Sequence, residues 1–356
     1  MPAYFPPLNV PASNILLNGA MDLDQAREGA SVVVPPDGVS PRIGPDGWAG
    51  LASADTAVGT TTIQRVADAP AGSTYSLKFT AGTGGTVGGG VFAQLYQAVT
   101  VADSLPFNWG TANARPVTVS GFLKASVAGQ YSVCLQNAVN YDRAYVHMVT
   151  VAANTWTPFS FTAAGDTAGT WTGQVEAFYL NVFAFGTVST SNLDVWQAGS
   201  TIGTNQVQYQ AGATLQITNM KIEIGATPTP FDHGNFADLL ARAQTRYAKT
   251  FPQGVAPAQN AGVAGALCVK NPIAIGDPSI FWQWPDMVMA PAITTYNPSA
   301  ANANWRNITA AADVAVAVDP GSALSSSSGV LIATSATVTT LGDILAIHAV
   351  RDASLL

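Results

Sequence analysis

The chain has 356 residues, more than the roughly 250–300 at which a single hydrophobic core stops growing, so two domains are expected. Charged residues make up only 10% of the chain, against about 25% in average proteins, which indicates a neutral, polar surface. The net charge of −7, with only 14 Lys and Arg residues, excludes a basic stripe for nucleic acid and disfavours binding to an anionic membrane.

The N-terminal segment, residues 1–13, contains four prolines among apolar residues. This composition favours an extended arm that docks on a neighbouring protein over a strand in the centre of a sheet. The segment lacks the basic and apolar regions of a signal peptide, and the chain has no run of about 18 apolar residues. The sequence therefore predicts neither secretion through a signal peptide nor insertion into a membrane.

Residues 14–232 alternate between apolar and polar positions, with Gly, Asn, Asp and Pro between the alternating segments. Period-two alternation with regular turns predicts an antiparallel β-sandwich. The apolar positions of the last segment change parity near Thr218–Asn219, which predicts a β-bulge, and the glycine-rich stretch Gly82–Gly90 predicts a loop. The predicted strands are Thr74–Ala81, Val91–Val101, Val117–Ser126, Gln130–Gln136, Tyr145–Val151, Thr155–Thr162, Gln174–Phe185 and Thr214–Ile224.

The period changes at Asn235–Lys249, where apolar residues recur at helical spacing. Asn235 can cap this helix, Asp238 lies in its first turn, and basic residues occupy its C-terminal half. We predict that the helix, within residues 233–252, links two domains. Its apolar face either packs on its own chain or contacts the same helix of a neighbouring subunit. This face comprises Phe236, Leu239, Leu240, Ala243 and Tyr247.

Residues 253–356 return to short alternating segments and predict a second, smaller β-sandwich. Ser325–Ser328 and the pair Pro320–Gly321 mark loops between its strands. The expected fold class is therefore all-β, with one helix between two β-sandwich domains. The predicted strands are Val263–Val269, Ile280–Trp284, Ala292–Tyr296, Asp313–Val318, Gly329–Val338 and Ile344–Val350.

Sequence motifs of catalysis are missing. The three glutamates are far apart in sequence, and the three histidines show no metal-ligand spacing. Cys134 and Cys268 lie in alternating apolar runs, which predicts two buried thiols and no disulfide. We therefore expect a protein that is not an enzyme. A pair of acids, Asp22 and Asp24, would share one face of an extended segment, and a structural calcium ion is the only cofactor that this pair suggests. The alternative is two solvated acids at a strand end.

Aromatic residues are the candidate binding groups. Trp109 and Trp305 lie in Asn-rich contexts, and Tyr141 is a further aromatic candidate. An exposed aromatic ring beside amide side chains can stack on a sugar and bond its hydroxyls, so these three residues are candidate glycan contacts. The alternative for each tryptophan is a place in a core or a subunit interface.

Several segments resemble the jelly-roll, carbohydrate-binding-module-like domains of bacteriophage tail fibres and other virion proteins. The opening of the chain is similar to that family's "NLLING…QRG…DRW" start, and later segments are similar to its closing strand, helix and distal strand. The matching segments are Asn14–Gly19, Gln25–Gly29, Pro45–Trp48, Met220–Asp232, Leu240–Phe251 and Met289–Pro298.

The resemblance implies a jelly-roll sandwich at 14–232 and a virion structural protein, assembled in the host cytoplasm. Such a fibre or spike subunit would form a homo-oligomer, by analogy a trimer. It would attach to other virion proteins through its N-terminal arm and contact polysaccharide on the host surface. The alternatives are a head decoration or head-spike protein, a capsule-degrading depolymerase, and a free carbohydrate-binding module.

Overall fold

The computed structural model describes residues 14–39, 42–53, 60–82, 89–172, 175–204, 209–272, 277–318, 324–334 and 339–354. These residues form a nearly all-β protein with two short α-helices. None of the helices in the described ranges is long and apolar enough to cross a membrane. The predicted arm at 1–13 and residues 83–88 of the predicted glycine-rich loop lie outside the described residues.

The chain divides into two compact units. The N-terminal unit contains the described residues up to Asp22, then Ser31–Gly44 and Trp48–Asn235. The C-terminal unit contains Leu23–Ala30, Pro45–Gly47 and the described residues from Phe236 onward. The sequence-based division into consecutive domains is therefore incomplete, because two short early segments belong to the later unit.

The N-terminal unit is a jelly-roll β-sandwich of two antiparallel sheets. Its elements are β1 (Val32–Val34), β2 (Arg42–Ile43), β3 (Ala49–Ser53), β4 (Thr61–Val66), β5 (Ser76–Thr80), β6 (Phe92–Thr100), α1 (Val101–Ser104), a 3₁₀ turn (Leu105–Phe107), β7 (Val117–Ala125), β8 (Gly129–Asn137), β9 (Ala144–Val151), β10 (Thr157–Ala163), β11 (Glu176–Gly186), β12 (Ser189–Thr190), β13 (Trp196–Gln197), β14 (Ile202–Gly203) and β15 (Thr214–Ile224). One sheet has the order β1-β4-β5-β15-β7-β10 and the other β13-β9-β8-β11-β6-β3-β2.

Alternation along the strands builds the core between these two sheets. Ile63 and Phe79 of the six-stranded sheet and Leu95 and Phe185 of the seven-stranded sheet belong to one buried apolar cluster. Phe79 and Phe185 meet edge-to-face across it, with ring centroids 6.0 Å apart. The opposite face of the seven-stranded sheet carries a smaller buried apolar cluster, which comprises Cys134, Ala144, Val146, Phe183 and Ile202.

The predicted bulge in β15 is confirmed. The pairing of β15 with β7 shifts register between Thr218 and Lys221, and Asn219 adopts a left-handed φ of 53°. Asparagine tolerates this conformation better than most residues. The bulge lets Ile217 and Ile222, which differ in parity, both point into the core.

The C-terminal unit is organised around its last strand. Its elements are α2 (Phe236–Gln244), β16 (Tyr247–Lys249), β17 (Leu267–Lys270), β18 (Ser279–Gln283), β19 (Ala292–Tyr296), β20 (Trp305–Asn307), β21 (Ala312–Val314), β22 (Val316–Val318), β23 (Ser328–Ala333) and β24 (Ile344–Asp352). Strand β24 pairs with β16, β17, β19 and β20, while β18, β23 and β22 form a separate three-stranded sheet.

The helix is shorter than the predicted Asn235–Lys249. It ends at Gln244, and Tyr247–Lys249 forms strand β16 against the end of β24. The helical spacing of Tyr247 is therefore misleading, because pairing with β24 overrides the local pattern. Of the predicted interface residues, Ala243 and Tyr247 are buried, Leu239 and Leu240 are half-buried, and Phe236 is exposed. Only these last three remain open to a contact with a neighbouring subunit.

A hydrogen-bonded clip fixes the early segment within the C-terminal unit. The buried Lys249 ammonium donates to the carbonyl of Gln25 (2.9 Å), to a carboxylate oxygen of Glu28 (2.6 Å) and to the carbonyl of Val255 (2.8 Å). The Gln25 amide donates to the Asp46 carboxylate (2.7 Å) and to the carbonyl of Tyr247 (3.0 Å). Part of the Gln25–Gly29 motif thus specifies the fold.

The two cysteines differ in exposure. Cys134 is buried as predicted, whereas Cys268 is exposed, so the prediction of two buried thiols is wrong. In β17 the residues that pack on the core are Leu267 and Val269, and period-two alternation places Cys268 between them on the opposite face.

Candidate functional site

The outer face of the seven-stranded sheet carries a set of aromatic and amide side chains. On β11, Phe178, Leu180 and Val182 point into the core, so Tyr179 and Asn181 point outward. Asn181 pairs with Tyr96 of β6, and Tyr179 pairs with Gln136 of β8. Three adjacent strands thereby place four polar or aromatic side chains side by side.

Tyr141, in the turn between β8 and β9, completes this set. Its ring stacks parallel on that of Tyr179, with centroids 6.0 Å apart and planes 2° apart, and Tyr96 meets Tyr179 edge-on at 5.8 Å. Tyr141 is 56% exposed and has a left-handed φ of 55°. We call Tyr96, Gln136, Tyr141, Tyr179 and Asn181 the tyrosine face.

The tyrosine face is chemically suited to hydrogen bonding. Burial raises the pKa of both Tyr96 and Tyr179 above the usual value. Like any neutral tyrosine hydroxyl, theirs can both donate and accept a hydrogen bond. Asn181 is buried and its amide donates to the side-chain oxygen of Gln136 at 3.4 Å, while the half-buried Gln136 adds an amide group to this face. The exposed ring of Tyr141, with polar groups beside it, can stack on a ring that has an apolar face and hydroxyls at its edge.

A network of hydrogen bonds holds the turn that carries Tyr141. The buried Asn137 side chain accepts from the Arg143 backbone (2.9 Å) and donates to the Asp142 carboxylate (2.7 Å) and to the carbonyl of Thr170 (3.2 Å). Arg143 donates to both oxygens of the buried Asp166 carboxylate, at 2.7 and 2.8 Å. This charge-assisted pair raises the pKa of Arg143 and fixes the turn against residues 164–172.

A small pocket on the same unit is lined by two tryptophans. It has a volume of about 150 Å³, with Trp109 and Trp171 on its wall. The two rings lie 4.7 Å apart, and their N–H groups donate to the carbonyls of Arg115 and Ala168, both at 2.9 Å. Polar side chains and Leu105 form the rest of the lining. We call this the tryptophan pocket, and its other lining residues are Ser104, Leu105, Asn108, Thr111 and Thr172.

The three predicted glycan contacts differ in their exposure to solvent. Tyr141 is exposed and belongs to the tyrosine face. Trp109 is only 7% exposed, because its ring packs against Phe107, Trp171 and other aromatics, and it lines the tryptophan pocket. Trp305 is fully buried in the core of the C-terminal unit, so its selection as a glycan contact is corrected: it has no face open to a sugar.

The predicted calcium ligands have protein partners instead. The Asp24 carboxylate accepts backbone N–H groups from Arg27 (3.2 Å) and Gly29 (2.7 Å), which closes a turn. Asp22 lies 3.2 Å from the His233 ring. Within the described residues, no group of three or more His, Cys, Asp or Glu side chains could hold a metal ion. A structural calcium ion at Asp22 and Asp24 stays a prediction.

Sequence reasoning missed most of the tyrosine face. The signal was the polar half of the alternation: Tyr96 and Tyr179 occupy the positions between core residues on β6 and β11, where a simple surface strand would carry charged or small polar residues. Which strands are neighbours was not readable from the sequence. Without that order, the aromatic residues could not be placed together.

Comparisons with known proteins do not assign this chain to a family. No protein-family model matches it, and no curated protein matches it. Several solved structures resemble parts of it.

A CBM4 structure is 15% identical and covers 59% of this chain and 99% of its own, with a TM-score of 0.31. The CBM22-1 xylan-binding domain of Paenibacillus barcinonensis Xyn10C is 12% identical and covers 57% and 99%, with a TM-score of 0.28. The enzymatically active domain of bacteriophage CBA120 tailspike protein 4 is 11% identical and covers 51% of this chain but only 20% of its own, with a TM-score of 0.29. Similarities of this size assign no function.

Proposed function

We propose that this protein is a non-catalytic virion subunit, of a fibre or spike, that binds glycan on the host surface through its N-terminal β-sandwich. The observation that carries the binding part is the tyrosine face, in which exposed Tyr141 stacks on Tyr179 beside Tyr96 and two amide side chains. The resemblance of the sequence segments to phage fibre domains supports the virion part.

Tyr141 is the most informative residue of the tyrosine face. An exposed aromatic ring contributes little to a core, and a bulky residue with positive φ is uncommon. Conformational strain of this kind is found where the surroundings hold a side chain for a purpose other than stability. The Asn137 and Arg143 contacts supply that support, so the ring is presented in a fixed position with little entropy left to lose on binding.

The binding experiment uses the full chain on a glycan array, followed by titration of each bound oligosaccharide. We expect Tyr141→Ala to weaken binding about tenfold, because stacking on an aromatic ring contributes about 1.4 kcal/mol. The matched control is Phe281→Ala in the C-terminal unit, since Phe281 is 58% exposed and Tyr141 is 56% exposed. Wild-type binding by Tyr141→Ala, or an array without any bound glycan, would refute the proposed binding function.

The virion part predicts an assembled homo-oligomer, in which linked weak sites act together. Analytical ultracentrifugation should give a mass of three chains, and the subunit should be found by labelled antibody on the surface of a particle. A monomer would contradict the fibre and favour a free binding module. Loss of viscosity of a capsule polymer on mixing with the pure protein would contradict the non-catalytic assignment.

A further inference from the structure

A second bulge aims an acidic side chain at the tyrosine face. Simple alternation along β11 would place Glu176 on the same side as Phe178, which is in the core. The pairing of β11 with β6 shifts register between Glu176 and Phe178, and both Ala177 and Phe178 point into the core. The extra residue turns Glu176 to the outer face, where its carboxylate acts electrostatically on Tyr96 and Tyr179.

Within the described ranges, the carboxylate of Glu176 is left without a partner. Among the described residues, no hydrogen-bond donor and no cation pairs with it, although it is partly shielded from solvent. The nearby guanidinium of Arg143 donates to both oxygens of Asp166, and Asp142 adds a further negative charge in the same turn. Glu176 therefore adds a negative charge beside Tyr96 and Tyr179 of the tyrosine face.

An ionised carboxylate offers two oxygens that accept two parallel hydrogen bonds. Adjacent hydroxyls of a sugar ring can supply both donors, and an amino group can supply a charged one. A carboxylate, sulfate or phosphate on the ligand would instead be repelled at short range, where the protein surface weakens the screening by water.

We propose that Glu176 selects the ligand class of the tyrosine face: a glycan of neutral or amino sugars, whose hydroxyl or amino groups donate to this carboxylate while a ring stacks on Tyr141. Uronic acids, sialic acids and sulfated or phosphorylated sugars are excluded from this position. The inference rests on the proposed glycan-binding function and adds its specificity.

The test compares each neutral ligand with a form in which the C6 hydroxymethyl group is replaced by a carboxylate. The probes are gluco-, galacto- and manno-oligosaccharides, chitosan oligosaccharides, and the three neutral oligosaccharides oxidised at C6 to uronic acids, titrated calorimetrically at pH 7 and low salt. We expect a neutral oligosaccharide to bind at least about tenfold more tightly than its oxidised form, since a hydrogen bond to a charged group is replaced by repulsion.

Two variants separate the role of Glu176 from a general effect of charge. Glu176→Gln keeps the shape of the side chain and should reduce the preference for the neutral form to less than about threefold, because the repulsion is removed. Asp277→Asn removes the same charge at an exposed position of the C-terminal unit and should leave the preference unchanged.

The outcomes are distinct. If an oxidised oligosaccharide binds as tightly as its neutral form, or if Glu176→Gln leaves the preference intact while Tyr141→Ala abolishes binding, the specificity inference is wrong and the binding function stands. If no probe binds and the glycan array is also empty, both are wrong.

Discussion

Asp46 gives the sharpest quantitative prediction for the C-terminal unit. Its carboxylate is almost fully buried and accepts the backbone N–H and the side-chain amide of Gln25, both at 2.7 Å. Burial is the largest cause that raises its pKa from 3.8 to about 6, with the negative charge of Asp24 adding to it and the Gln25 hydrogen bonds opposing it. Folding therefore favours the protonated form of this acid.

The direction of the pH effect follows from this difference. Because the folded-state pKa lies above that of the unfolded chain, the folded protein binds more protons between about pH 4 and pH 6. The contribution of protonated Asp46 to the free energy of unfolding is fully present below this window. It is lost as the pH rises through about 6. A rise in pKa from 3.8 to about 6 corresponds to about 3 kcal/mol, at about 1.4 kcal/mol for each pKa unit.

The measurement is scanning calorimetry of the wild type and Asp46→Asn at several pH values between 4 and 7.5. The amide cannot ionise in this range, so the difference between the two proteins isolates this one titration from all others. For a unit of this size, about 3 kcal/mol shifts the melting temperature by about 10 °C. Between pH 4 and pH 7, we expect the melting temperature of the wild type to fall by about 10 °C more than that of Asp46→Asn.

Asp46→Asn also loses one acceptor for the Gln25 N–H groups, which lowers stability at every pH and leaves the slope unaffected. Asp277→Asn serves as a control because Asp277 is exposed. The difference in melting temperature between this variant and the wild type should not change with pH. The reasoning would be refuted if the difference in melting temperature between the wild type and Asp46→Asn did not change with pH. It would also be refuted if the wild type became more stable relative to Asp46→Asn as the pH rises.

Three further predictions concern the fold and assembly. Gly19→Ala should destabilise the protein by about 2–4 kcal/mol in urea unfolding, because an added Cβ would lie 2.1 Å from the carbonyl oxygen of Met220; unchanged stability would show that the backbone yields there. Native protein should react with one equivalent of a maleimide, at Cys268, and unfolded protein with two, since Cys134 is buried and burial raises its pKa; two native equivalents would contradict this. Leu240→Asp should lower the assembled mass in ultracentrifugation if the helix contacts a neighbouring subunit, and an unchanged mass would place that contact elsewhere.

The parts of the fold that follow from alternation could be predicted from the sequence. Strand β15 was found with its bounds, and the bulge at Thr218–Asn219 was visible because the apolar positions change parity there. The early strands β1 to β4 were missed, since short segments such as Val32–Val34 carry too few residues for a period to show. The helix was found but extended too far, because β24 recruits Tyr247–Lys249.

The binding surface was less accessible to sequence reasoning than the fold. Tyr141 could be selected as one of several aromatic candidates. Trp305 has a similar local context and is buried, because its surroundings are set by strands far away in sequence. The position of Glu176 was hidden for a different reason: strict alternation assigns it to the core, and only the register shift in β11 reverses that assignment.

The path of the chain has a consequence for how this protein is made. Leu23–Ala30 and Pro45–Gly47 leave the ribosome well before the residues of the C-terminal unit with which they pack. That unit can therefore close only when β24, near the end of the sequence, has been synthesised, and its contacts of high sequence separation make a slow folding step. A fragment that begins at Phe236 would keep Lys249 but lose two of its three acceptors, Gln25 and Glu28, so the later unit should not be expressible alone.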